Sequence, residues 1–182
     1  MKRAIVTPAV LPPSALAELK QWLGITTAHD DALLSSLLEA ALDICEAFTG
    51  IMPLETQAEE ILAVTGGWQA LSTQPIQAIT SVEAIDSDGA RTTISTNDYE
   101  VELDEGGAGL IRATSPVTAR RLAVRFMAGL APDWDSLAES LRHGIMRLAA
   151  HQHRERDSSG PGPLPPASVA ALWRPWRRMR LT

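Results

Sequence analysis

The hydrophobic period of this chain switches twice. In residues 30–49, DDALLSSLLEAALDICEAFT, apolar side chains recur every three or four positions. From about Leu54 to Leu130 the segments EEILAVT, AITSVEAID, TTIST, YEVELD, GLIRAT and RRLAVRFMAG are short, β-branched and roughly alternating. From Asp133 to Asp157 the helical period returns. A period of 3.6 builds a helix with one apolar stripe, and a period of 2 builds a strand with one apolar face. Runs of helix and runs of strand kept apart in sequence predict an α+β fold, not an alternating α/β one.

The helices carry start and stop signals. SALAELKQWL, residues 14–23, is predicted as a short helix capped by Ser14 and ended by Gly24. In the 30–49 helix, Leu34, Leu38, Ala41, Cys45 and Phe48 form one stripe, which Leu33, Leu37 and Ile44 widen. Asp30 and Asp31 sit at its positive end and Gly50 closes it. The short GITTAH link predicts that these two helices pack as a pair. The 133–157 helix buries Leu137, Leu141, Ile145, Leu148 and Ala149, with Asp133 or Asp135 as cap. Gly144 in its middle costs roughly 1 kcal/mol against Ala, so its presence predicts close packing with a neighbour. Between the strands, Gly66-Gly67, Asp88-Gly89, Asn97-Asp98, Gly106-Gly107 and Ser115-Pro116 mark turns. The strands fit a small antiparallel sheet or an open, barrel-like sandwich, with Asp88-Gly89 the best hairpin tip.

After the last long helix, SSGPGPLPPAS breaks all periodicity and reads as a stiffened linker, residues 158–166. Beyond it, ASVAALWRPW fits two helical turns, and WRPWRRMRL concentrates Trp173, Arg174, Trp176, Arg177, Arg178, Met179, Arg180 and Leu181. The net charge is −6, unevenly placed: residues 142–182 hold eight Arg against Glu155 and Asp157, whereas the preceding residues hold twenty acids against eight bases. An acidic body repels nucleic acid, and a basic, Trp-rich end suits a partner surface, since Trp and Arg dominate binding hot spots. The organisation expected is a body over 1–157, the linker over 158–166, and a docking tail over 167–182.

The remaining candidates are weak. His151 and His153 are two apart and diverge on a helix, and with His143 they make no ligand set at metal spacing. DSDG at Asp86–Gly89 opens like a calcium loop, but the twelfth position is Asn97, not Glu. GGAGL at Gly106–Leu110 lacks the dinucleotide spacing, and no phosphate loop, nucleophile elbow or HExxH occurs. Cys45 falls on a buried stripe, and a single cysteine forms no disulfide within a chain, which fits a reducing compartment. The opening MKRAIVTPAVLPPS has three prolines before any apolar run and reads as neither signal peptide nor membrane span. No cofactor, metal or catalytic set is expected, and a small enzyme is the least favoured reading. A nucleic-acid-binding module working through residues 142–182 is the alternative to a protein-docking role.

Four segments in order resemble the phage head–tail connector (adaptor) family, which includes gene transfer agent adaptors. They are LAELKQWLGITTAHDDALLSSLLEAALDICEAFTG, QPIQAITSVEAIDSDGARTTISTNDYEVE, LAVRFMAGLA and LPPASVAALWRPWRRMRL. The resemblance implies a bundle of the two N-terminal helices and the late helix, a small antiparallel β-domain and an extended C-terminal tail. It implies a non-enzymatic virion protein assembled in the bacterial cytoplasm and sited in the particle neck. Such a protein forms a ring, expected to be a dodecamer, that passes DNA through its lumen without specific binding and without a membrane. The C-terminal tail, with Trp173 through Leu181, would dock into the portal protein, and the opposite face would receive a stopper or tail-terminator protein. Trp173 and Trp176 stand where the family has smaller apolar or Tyr residues.

Overall fold

The computed structural model describes residues 2–114, 119–155 and 165–177. The chain divides into two compact units, one of residues 1–9 and 55–130, the other of residues 10–54 and 131–182.

The first unit is built of strands. β1 (Lys2–Thr7), β2 (Thr56–Ala63), β4 (Ile76–Ile85), β5 (Arg91–Thr93) and β8 (Arg121–Ala128) form a five-stranded sheet in the order β1-β2-β8-β4-β5. β3 (Gln69–Ala70), β6 (Tyr99–Leu103) and β7 (Gly109–Ala113) form a second sheet in the order β3-β7-β6. Every pairing within both sheets is antiparallel. β8 is central because LAVRFMA is apolar enough to be covered: Leu122, Val124 and Phe126 meet Leu62, Glu60 and Ala58 of β2 in register. Ala58, Leu62, Val82, Leu122, Val124 and Phe126 of the large sheet share one core with Ile111 of the small one. The Asp88-Gly89 turn joins β4 to β5, and the Gly106-Gly107 turn joins β6 to β7.

Two carboxylates of β2 organise the rest of this unit. Glu60 is fully buried, and it is tolerated because it accepts four hydrogen bonds, from the backbone N–H and hydroxyl of both Ser72 and Thr73, at 2.7–2.9 Å. On the opposite face Glu59 accepts from Arg91 Nη1 and Nη2 at 2.8 and 2.9 Å and from Arg125 Nε at 2.9 Å. β1, KRAIVT, which no alternating pattern in the sequence predicts, pairs antiparallel with β2.

The second unit is helical. α1 (Pro13–Leu23), α2 (Asp31–Thr49) and α3 (Glu139–Glu155) all touch one another, and α4 (Ala167–Trp173) packs on α3 and α2 before a short 3₁₀ turn at Arg174–Trp176. α1 starts one residue earlier than expected. Its cap is Pro12, which makes no side-chain bond, with Pro13 in the first turn, where a missing N–H costs nothing. Ser14 therefore lies inside the helix and is not its cap; its hydroxyl instead lies 3.5 Å from Asp135 Oδ1. Lys20 of α1 and Asp31 of α2 form an ion pair at 2.5 Å. Leu34, Leu38, Ala41 and Cys45 are buried as the spacing predicts, whereas Thr49 takes the last buried position and Phe48 stays half-buried beside it. Gly50 ends α2 at φ 74°, a left-handed conformation that other residues adopt at a cost. α3 begins at Glu139 rather than Asp133. Asp133 Oδ1 accepts the Ser136 N–H at 2.8 Å, so residues 133–136 close a side-chain-bonded turn that competes with helix.

Candidate docking site

The C-terminal cluster is placed by one close approach on α3. Gly144 faces the indole of Trp173 so closely that a Cβ built on it would lie 2.2 Å from Nε1 and 2.8 Å from Cε2. Gly144 thus makes the slot into which α4 seats its last residue, the packing neighbour that the sequence required. Trp173 Nε1 donates to the Leu141 carbonyl at 3.4 Å, and its ring lies 6.0 Å from Phe48 at a 48° tilt. Trp173 is 0% exposed. This corrects the expectation that Trp173 lies in an outward tail. It is a core residue of its own subunit, and burial of so large a side chain stabilises the α4–α3 contact by roughly 3–5 kcal/mol on truncation scales.

Beyond it the chain leaves the core by degrees. Trp176 is half-buried and donates from Nε1 to Ser140 Oγ at 2.8 Å. Arg177 is exposed, with its guanidinium 5.5 Å above the Phe48 ring. Arg174 is exposed on the same turn. Arg178, Met179, Arg180 and Leu181 lie outside the described residues, as does most of the 158–166 linker. Of the eight candidate residues, the structure therefore brings Trp173, Trp176 and Arg177 onto α2 and α3 and leaves Arg174 pointing into solvent.

A second feature escaped the sequence reading. Trp22, Arg147, His151, Arg154, Pro166, Ser168 and Val169 line a cleft of about 170 Å³. His143 packs edge-on against Trp22, centroids 5.2 Å apart, and His151 Nε2 sits 3.0 Å from Glu155. Arg147 and Arg154 have no ion pair among the described residues. The helical spacing of 147, 151 and 154 was available in sequence, but their convergence with Trp22 depends on how α1 meets α3. The cleft offers the cations Arg147 and Arg154 to a carboxylate or phosphate. Cys45 is no reactive centre: burial pushes its thiol up to about 12, with the neighbouring Glu46 adding to the rise. Among the described residues no three potential metal ligands cluster, and no helix is long and apolar enough to cross a membrane.

The described residues form an α+β protein whose C-terminal helix folds back onto α3 and α2. The model of the phage gp6-like head–tail connector protein family matches residues 13–103, half of the chain, and the chain belongs to that family. It is similar over its full length to a chain in the neck of an empty gene transfer agent (GTA) particle reconstructed with C6 symmetry. The TM-score there is 0.80 and the identity 26%, covering 100% of this chain and 98% of the other. Chains from the virion of a native GTA particle and from a native neck with C12 symmetry match with TM-scores of 0.77 and 0.75. Both are 25% identical over the same shares. No curated protein matches. The family resemblance read from four sequence segments is thus confirmed, and the structural likeness extends it past residue 103.

Proposed function

We propose that this chain is a ring-forming connector of the neck of a tailed phage or gene transfer agent, and that it docks on the portal protein through the residues following Trp176. The observation that carries this reading is the full-length likeness to a neck chain. The C6 and C12 symmetries of the similar necks support a ring, and the dodecamer is the state proposed. The seating of Trp173 divides the C-terminal segment into two parts. Trp173 anchors the segment to its own subunit, and Arg177, Arg178, Met179, Arg180 and Leu181 form the plug. Met179 and Leu181 supply buried apolar area, about 1.5–3 kcal/mol each if fully covered. The arginines pair with portal carboxylates or carbonyls and fix register. Repetition around a ring multiplies such modest contacts. A net charge of −6 suits a lumen that lets DNA slide, and the face away from the portal receives the stopper or tail terminator. No step in this role needs catalysis.

The test is a chain shortened after Trp176, which keeps Trp173 and Trp176 in place. It should fold as the full chain does and fail to join portal rings. Retained joining would refute the plug. Loss of salt-sensitive DNA binding with portal joining intact would favour the nucleic-acid module instead.

A further inference from the structure

Four strands of the β unit end its two sheets, β1 and β5 the larger and β3 and β6 the smaller, and of these β1 and β6 are long enough and exposed enough to take a partner strand. β1 closes one side of the five-stranded sheet and β6 one side of the three-stranded sheet, and among the described residues no strand pairs with either outer edge. An open edge offers a row of unpaired N–H and C=O groups and is a template for another strand. Both edges also carry exposed apolar side chains. Ile5 lies opposite Ala58 in register and stays 44% exposed, with Val6 at 47%. Val101 lies opposite Ile111 and Leu103 opposite Gly109, and they stay 40% and 46% exposed. Ala58 and Ile111 are fully buried, whereas Ile5 and Val101 opposite them are not.

The charges of the two edges are opposite. Lys2–Thr7 reads KRAIVT, with two bases and no acid, and Tyr99–Leu103 reads YEVEL, with two acids and no base, Glu100 being paired with Arg112 of β7. Glu102 has no ion pair among the described residues. Like charges facing each other across a strand pair destabilise it, and opposite charges favour it. Pairing of β1 with β1, or β6 with β6, brings like charges together; pairing of β1 with β6 matches them.

We propose that adjacent copies of this chain join by β-augmentation, β1 of one copy adding to the outer edge of β6 of the next. The contact uses two different surfaces of each copy, so it is head-to-tail, the arrangement that closes into a ring; a self-paired edge stops at a dimer. The proposal rests on the ring reading above, and it specifies which surfaces make the ring.

The test uses the full chain with cysteine pairs, one at Ala4 or Ile5 and one at Glu100, Val101 or Glu102, oxidised in assembled necks. Cys45 is buried and does not interfere. At least one pair should give a covalent ladder beyond the dimer, while each single-cysteine variant stays monomeric. As a second arm, Glu100→Lys with Glu102→Lys should abolish rings by electron microscopy, and adding Lys2→Glu with Arg3→Glu should restore them. Rings without any ladder and without charge rescue, or dimers from the single variants, would overturn the β1–β6 contact while leaving the ring intact. Absence of rings from the unmodified protein in necks would overturn the ring reading itself.

Discussion

Replacing Gly144 by Ala isolates the contact on which the C-terminal account rests. In an α-helix the change alone stabilises by about 1 kcal/mol, because Ala loses less backbone entropy than Gly. Here the added Cβ falls 2.2 Å from Trp173 Nε1 and within 2.9 Å of Cδ1, far inside contact distance. Trp173 is itself sealed, so it has no open side into which to retreat. Overpacking of this kind costs roughly 1–3 kcal/mol, and an indole pushed off the Leu141 carbonyl forfeits a bond worth about 1 kcal/mol more. The balance is a net loss of about 1–3 kcal/mol, or a fall in Tm of roughly 2–10 °C for a chain of this size. Urea and thermal unfolding, followed by circular dichroism and tryptophan fluorescence, read it directly. Trp173→Phe trims the indole, so it should cost stability in the parent and cost less, or nothing, in the Gly144→Ala background. That coupling is the signature of contact. A Gly144→Ala protein that melts higher than the parent, with no coupling to Trp173→Phe, would refute the slot.

Glu60→Ala leaves the donors of buried Thr73 without their acceptor and should cost about 1–3 kcal/mol, seen as a lower urea midpoint at unchanged slope. Glu59 is held below the usual carboxylate range by its hydrogen bonds to Arg91 and then Arg125, against the opposing effect of burial. Its contribution is complete above the ordinary carboxylate pKa, near 4.5, and is lost as pH falls through the lower folded value. Arg91→Ala should therefore narrow the gap between parent and variant as pH falls below that point; a gap independent of pH contradicts the assignment. Cys45 should resist a thiol reagent at pH 8 in the folded protein and react at once in urea, and rapid reaction without denaturant would show that α2 does not bury it.

Both the helices and most strands were legible because their signals are local. The stripe Leu34, Leu38, Ala41 and Cys45 repeats at 3.6, and the strands alternate between turn dipeptides. The failures are contests between local and distant effects. Asp133 bonds a nearby N–H and delays α3, and Pro12-Pro13 displaces Ser14 as the start of α1. β1 carries no alternating pattern of burial to read, since among its described side chains all are exposed; what holds it is pairing with β2, more than fifty residues away. Gly144 announced that something packs closely, yet nothing local says that its neighbour is Trp173, far along the sequence. A Trp–Arg cluster reads alike whether it is buried at home or in a partner. The structure separates them: Trp173 at home, Arg174 outward, Arg177 exposed but laid over Phe48.

The most direct measurement is a density map of the assembled neck at side-chain resolution. The account predicts Trp173 against Gly144 of its own subunit and residues 178–182 in contact with a different polypeptide on the head side. Residues 178–182 packed on their own subunit, or Trp173 withdrawn from the Gly144 slot into the partner, would contradict it.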